Sequence, residues 1–246
     1  MPMRNLRLDI CYEGTKYSGW QRLPGASNTI QAKLETTLSR LLEEPIEIVG
    51  SGRTDAGTHA LGQVVNFHCQ STMPCEEILE GLQMYLPKDI GVYSCRNVSE
   101  RFHARYNAKT KTYRYRVWNS EKPCIFERNF VHIDRRTVDL DRMLSAAKVF
   151  VGTHDFSAFC GNRKMKKSTV RTIHWFDIEL QGDELVFLVN GNGFLQHMVR
   201  ILVGTILEVG RGERSVESLS TLFGAERSQA GEMVPSTGLC LMEVTY

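Results

Sequence analysis

The stretch Ile46-Glu-Ile-Val-Gly-Ser-Gly-Arg-Thr-Asp-Ala-Gly-Thr-His-Ala-Leu-Gly-Gln-Val-Val-Asn-Phe67 holds most of what the chain says about its fold. Its two ends, residues 46–49 and 63–67, read as strands. Between them, the loop 50–60 contains Gly50, Gly52 and Gly57 and one carboxylate, Asp55, set between Arg53 and His59. A strand, a glycine-rich loop and a second strand can hold an acid at the mouth of a cleft. Gly57 tolerates backbone angles that other residues avoid, and glycine lets a ligand approach closely. The same pattern also fits a surface turn with ordinary charges, because short glycine-rich motifs match many unrelated chains.

Outward from this loop the periodicities continue. Residues 5–12 alternate as a strand, and Glu13-Gly14 turns the chain. Residues 29–43 place Ile30, Leu34, Leu38, Leu41 and Leu42 on one side of a helix, with Asn28 or Thr29 as its cap and Pro45 past its end. After the loop come a helix over 72–86 and a strand over 90–98. The order is β-α-β-β-α-β, the split βαβ arrangement. The second half repeats it: a strand over 110–119, a helix over 139–151, a hairpin of 169–180 and 184–189, an apolar helix over 194–210, a short helix over 216–223 and a closing strand over 238–246. The expected fold is therefore α+β, two related split-βαβ (ferredoxin-like) lobes sharing a mixed, largely antiparallel sheet flanked by helices. The lobes are expected at residues 1–105, with the Asp55 loop, and 106–246, with Tyr113 and Arg200. The absence of a low-complexity linker points to tight packing of the two.

A chain of 246 residues makes one large or two small domains. Its hydrophobic fraction of 42% and charged fraction of 24% are those of a soluble globular protein. No run of about 18 apolar residues suggests a membrane span, and charges interrupt the first residues where a signal peptide would need an apolar core. The seven cysteines include no C-x-x-C pair and are odd in number, which argues against a zinc knuckle, a redox pair or a disulfide framework and for a reducing cytoplasm. Net charge is only +2. Its distribution is uneven: Arg101, Arg105, Lys109, Lys111, Arg114 and Arg116 form one basic run, and Arg163, Lys164, Lys166, Lys167 and Arg171 another. These suit a polyanion-binding face, or two solvated basic stretches.

Further segments join the loop: Gly14-Thr-Lys-Tyr-Ser-Gly-Trp-Gln-Arg22, Phe102-His-Ala-Arg105, Thr112-Tyr-Arg-Tyr-Arg116, Asn192-Gly-Phe-Leu-Gln-His-Met-Val-Arg200 and Pro235-Ser-Thr-Gly-Leu239. With the Gly-Arg-Thr-Asp-Ala-Gly core, and in this order, the sequence closely resembles the TruA-type tRNA pseudouridine synthases from about residue 5 to the C-terminus. The resemblance implies an enzyme that converts uridines at positions 38–40 of the tRNA anticodon arm to pseudouridine, works as a homodimer, and needs neither metal nor organic cofactor. It implies Asp55 as the catalytic aspartate, Arg200 as the arginine paired with it, Tyr113 as the aromatic contacting the target base, and Arg53 as the residue that helps hold the flipped nucleotide's place. Two departures stand out. Thr58 occupies a position where the family commonly has valine, and Cys240 one where many relatives have an aromatic.

The residue types suit that chemistry. An ionised carboxylate can attack base or sugar, or assist glycosidic cleavage, and the sequence does not choose among these. Desolvation pushes a carboxylate toward protonation, and a neighbouring arginine opposes it. A stacked uridine leaves its stack at a cost of a few kcal/mol, and an aromatic such as Tyr113 returns roughly 1–3 kcal/mol. Tyr115 shares the parity of Tyr113, while Thr112, Arg114 and Arg116 fall on the other face. Lys16, Arg22, Arg105 and Lys111 are candidate RNA contacts alongside Arg53, with tRNA the expected partner and no membrane involved. Tyr17 and Trp20 either touch RNA or pack. His59, His103 and His197 lack metal-ligand spacing. The alternatives are a pseudouridine synthase acting on another RNA, such as ribosomal RNA, and a non-catalytic RNA-binding protein. A metal-dependent nuclease is disfavoured, because no carboxylate cluster accompanies Asp55.

Overall fold

A computed structural model describes residues 3–22, 25, 28–162 and 164–246. In chain order its elements are β1 (Arg4–Tyr12), α1 (Ile30–Leu42), β2 (Ile48–Gly50), β3 (His59–Cys69), α2 (Cys75–Tyr85), β4 (Ile90–Val98), β5 (Thr110–Trp118), β6 (His132–Ile133), α3 (Leu140–Val149), β7 (Gly152–Asp155), β8 (Val170–Gln181), β9 (Glu184–Gly191), α4 (Met198–Gly210) and β10 (Leu239–Thr245). Short 3-10 turns fill several of the connections. The fold is α+β, with largely antiparallel sheet flanked by helices. The chain divides into two compact units, one of Met1–Lys109 with Cys240–Tyr246 and one of Thr110–Leu239.

In the first unit the expected β-α-β-β-α-β order is present. β1 lies between β4 and β3, antiparallel to both, and β2 pairs antiparallel with the far end of β3. Alternation along β1 decides its two faces. Leu6, Leu8, Ile10 and Tyr12 are buried, and Leu6 and Leu8 sit opposite Phe67 and Val65 of β3. The intervening Arg7 and Asp9 pair with each other at 2.6 Å. α1 buries Ile30, Leu34, Leu38 and Leu42, and its Thr29 cap accepts the Ala32 N–H at 3.3 Å. One acid is buried with them: Glu35 accepts the Ile48 N–H at 3.1 Å and so ties α1 to β2.

The second unit departs from a simple repeat. β5, β9, β8 and β7 run side by side, each neighbouring pair antiparallel, and two short strands absent from the sequence reading, β6 and β7, are added. The closing strand was expected in a lobe of residues 106–246. Residues Cys240–Tyr246 instead lie in the first unit, where Cys240 and Leu241 align in parallel with His59 and Ala60 of β3. The apolar helix also begins later than its hydrophobicity suggests. Gly193 at φ 153° and His197 at φ 62° cannot continue a right-handed helix, so α4 starts at Met198.

Asp134, beside β6, anchors the second unit electrostatically. It is 5% exposed and accepts bonds from Arg136 Nε at 2.8 Å, Arg136 Nη2 at 2.7 Å and Arg211 Nη1 at 3.2 Å. Burial pushes its pKa up, but the Arg136 hydrogen bonds and the charges of Arg136 and Arg211 outweigh it and hold the carboxyl below the usual range. A folded pKa below the unfolded one stabilises the protein above about pH 4 and stops doing so as pH falls through the folded value. Asp134→Asn is expected to cost about 3 kcal/mol at pH 7. Denaturant melts at descending pH should show that cost shrinking below about pH 4.

Candidate functional site

The Asp55 loop is fixed on both sides by buried groups. Upstream, Gln63 of β3 accepts the Ser51 hydroxyl at 2.5 Å through Oε1 and donates from Nε2 to the Gly52 carbonyl at 3.0 Å. Downstream, His59 is buried, and its Nδ1 accepts the Gly14 N–H at 3.1 Å. An acceptor Nδ1 places the imidazole proton on Nε2. His59 therefore has a structural task, joining the loop to the segment that follows β1.

That segment grips the residue just before the acid. The Trp20 N–H donates to the Thr54 carbonyl at 3.0 Å, and the Tyr12 hydroxyl shares a 2.8 Å hydrogen bond with Thr54 Oγ1. Burial pushes the Tyr12 phenol well above its ordinary pKa, so it stays protonated. The Trp20 ring lies against Gly50, where a Cβ would come within 2.6 Å of Cζ2. Asp55 then opens a tight turn in which its carbonyl accepts the Thr58 N–H at 3.1 Å. Gly57, at φ 76°, supplies the left-handed residue of that turn. Asp55 is left half-buried and Arg53 exposed. The alternatives for Tyr17 and Trp20 are thereby decided: at 6% and 3% exposure both pack, and the Tyr17 hydroxyl donates to Asp89.

The remaining candidates of the first unit are Lys16, Arg22 and Arg105, all exposed. Arg22 Nη1 stands 3.0 Å from Glu35 Oε2, so its charge is already engaged; that oxygen has no aligned hydrogen bond, and the contact is an ion pair. In the second unit Tyr113 of β5 is buried and meets Phe194 edge-on, ring centres 5.2 Å apart. Tyr115, two residues on, is fully buried, and its hydroxyl donates to the Pro235 carbonyl at 2.7 Å. Parity alone left the two tyrosines equivalent, and this bond gives Tyr115 a structural role. Arg200 stands in the first turn of α4 and donates from Nε to the Val234 carbonyl at 2.7 Å. Lys111 is half-exposed on β5, opposite Gly191. Arg163 lies outside the described residues. Among the described residues, no group of three or more His, Cys, Asp or Glu side chains is placed to hold a metal ion, and no helix is long and apolar enough to cross a membrane.

The family described as tRNA pseudouridine synthase matches residues 10–107 and 146–246. The chain belongs to that family. It is 46% identical to tRNA pseudouridine synthase A of Bacillus sp. (strain KSM-64), over 99% of this chain and 100% of that protein. It is 43% identical to tRNA pseudouridine synthase A 2 of Clostridium perfringens, again over 99% and 100%. Among solved structures, a chain of a Cbf5-Nop10-Gar1 complex is similar at a TM-score of 0.41 and 11% identity, covering 96% of this chain and 48% of that one. That likeness is too loose to bear on function.

As a member of this family the chain is an RNA-uridine isomerase. The supports that sequence reading missed are Tyr12, Thr54 and Gln63 in the first unit and Phe194 beside Tyr113 in the second. Gln63 carried a legible signal, a long polar side chain at the head of an apolar strand. The unusual residue of the loop has a consequence of its own. Thr58 is 1% exposed, and its Oγ1 has no hydrogen-bond partner. A buried orphan hydroxyl is destabilising relative to a methyl of the same shape. Thr58→Val is expected to stabilise the protein by about 1 kcal/mol and to raise the thermal midpoint by a few degrees with isomerase activity retained. A lowered midpoint in calorimetry would show that the hydroxyl is satisfied.

Proposed function

We propose that the chain isomerises uridines in the anticodon arm of tRNA, at positions 38–40, with Asp55 as the nucleophile. The observation that carries this reading is the construction of the loop. Thr54 is clamped through backbone and side chain, yet the carboxylate beside it remains partly open to solvent. A reactive group held on a rigid mount and left accessible is what covalent catalysis requires. The reaction is balanced without an outside reagent. The bond from uracil N1 to the ribose C1′ breaks, a bond from C5 to C1′ forms, C5 loses its proton and N1 gains one. Asp55 attacks either the base or the sugar, and both routes give the same product.

In this reading Arg200 pairs with Asp55 and keeps it ionised against desolvation. Tyr113 contacts the target base, and Arg53 helps hold the place that the flipped nucleotide vacates. Arg105, Lys111 and Lys16 contact the RNA, chiefly its phosphates, which position it without reading sequence, and Arg22 joins them with a charge it shares with Glu35. The protein acts in the cytoplasm as a homodimer, without a cofactor. Support for the substrate comes from the relatives, whose names specify tRNA.

The test is tritium release from tRNA labelled at uridine C5. The native protein is expected to release tritium, and Asp55→Asn to release none while still binding tRNA. Mapping the product should place pseudouridine at positions 38–40. Release from ribosomal RNA but not tRNA would move the chain to another substrate. Tritium release undiminished by Asp55→Asn would remove Asp55 from the chemistry.

A further inference from the structure

We propose that Tyr106, backed by His103, is a stacking shelf for an unpaired base of the RNA other than the uridine being isomerised. The proposal rests on the reading of the chain as an enzyme that binds RNA. Tyr106 is 77% exposed, yet it is not a loose side chain. Its ring lies on the His103 imidazole with centres 4.1 Å apart and planes inclined by 29°. His103 is itself held from below: its Nδ1 accepts the N–H groups of Arg105 and Tyr106, each at 3.2 Å. The His103 N–H donates to Asn107 Oδ1 at 2.7 Å, and the Asn107 N–H returns to the His103 carbonyl at 3.0 Å. The turn is closed on itself at both ends.

The turn is also fastened to the sheet. Ala104 is fully buried; its N–H donates to Asn66 Oδ1 at 2.8 Å, and its carbonyl accepts the Tyr246 hydroxyl at 2.7 Å. Asn66 is bonded in turn to Asn5 at 3.0 Å, and Asn5 Nδ2 donates to the Phe102 carbonyl at 2.9 Å. A buried polar network of this kind fixes one conformation of the loop above it. One face of the Tyr106 ring is covered by imidazole, and the other is presented to solvent at little further entropic cost. Arg101, Arg105 and Lys109 lie close to it in the chain, all exposed, and among the described residues none of them makes an ion pair. A fixed aromatic face among unpaired cations is the combination that binds single-stranded nucleic acid, by stacking a base and neutralising its phosphates. A protein partner would call for a broader apolar surface, and the exposed residues on either side of Tyr106 in the chain, Arg105 and Asn107, are polar.

The test compares native protein, Tyr106→Ala, Tyr106→Phe and Arg105→Ala. Fluorescence anisotropy measures binding of tRNA and of oligoadenylate, which contains no uridine, between 50 and 200 mM salt. Tyr106→Ala is expected to weaken both RNAs by about fivefold to a hundredfold, with the slope of log affinity against log salt unchanged. Tyr106→Phe keeps the ring and should stay within about twofold of native. Arg105→Ala should instead reduce the salt slope by about one. At saturating tRNA the kcat of Tyr106→Ala stays native, and the loss appears in KM. Native affinity in Tyr106→Ala overturns the proposal. So does a change in the mass of the particle by ultracentrifugation without a change in RNA affinity, which would assign the surface to a protein contact. If native protein releases no tritium from tRNA while Tyr106→Ala still loses oligoadenylate affinity, the enzymatic reading fails and the shelf stands.

Discussion

Trp20 and Tyr12 meet at Thr54, and the position of Asp55 depends on that meeting. The two groups come from opposite ends of one connection: Tyr12 closes β1, and Trp20 precedes α1. Their hydrogen bonds hold the carbonyl and the hydroxyl of a single residue. A residue held through both backbone and side chain has little freedom to rotate, so the next residue inherits a defined direction. Each such bond adds only about 1 kcal/mol to net stability. Leaving either buried partner unmade would cost more than that, and this asymmetry holds the geometry.

The same device recurs wherever irregular chain must be held against regular structure. Gln63 fastens the upstream limb of the Asp55 loop, His59 the downstream limb, Asn66 the turn around Ala104, and Glu35 the start of β2. In the second unit Asn190 donates to Thr112 at 2.9 Å and bonds His174 at 2.8 Å, linking three neighbouring strands. These are buried polar side chains on helices and strands, each bonded to the backbone or side chains of neighbouring segments. Regular elements supply the rigidity, and the loops they hold carry the candidate functional groups, the usual division in a folded enzyme.

Sequence reading recovered the elements of the first unit because their signals are local. The four buried hydrophobic residues of β1, Leu6, Leu8, Ile10 and Tyr12, alternate without a break, and Thr29 and Pro45 bracket α1. It placed Asp55 in its loop for the same reason, since glycine and acid are adjacent in the chain. It did not find the clamp, because a tyrosine, a tryptophan and a glutamine look like ordinary core or surface residues until their partners are known. Nor did it separate Tyr113 from Tyr115 on the residues alone, since period-two alternation reports a face and not what the hydroxyl meets. The late start of α4 was hidden by hydrophobicity: Phe194 and Leu195 extend the apolar pattern of the helix toward its N-terminus, and the left-handed backbone of His197, not its side chain, stops the helix there. The place of β10 was hidden by distance, because its partner His59 is far away in sequence.

Net charge was the least informative quantity, and the structure shows why. Many of the arginines are engaged with acids: Arg7 with Asp9, Arg22 with Glu35, Arg116 with Glu184, Arg136 and Arg211 with Asp134, and Arg214 with Glu208. Those pairs cancel in the sum and contribute little field beyond a few ångströms. Arg101, Arg105, Lys109, Lys164, Lys166 and Lys167 are exposed, and among the described residues they make no ion pair. They belong to the two basic runs that stood out in the sequence. A polyanion feels the uncompensated charges and not the total, so a chain of net charge +2 can present surfaces that attract RNA. Phosphate contacts of this kind give affinity without selecting a nucleotide. Selection must then come from groups with shape, and under the proposed function those are the aromatic faces and the half-open turn that carries Asp55.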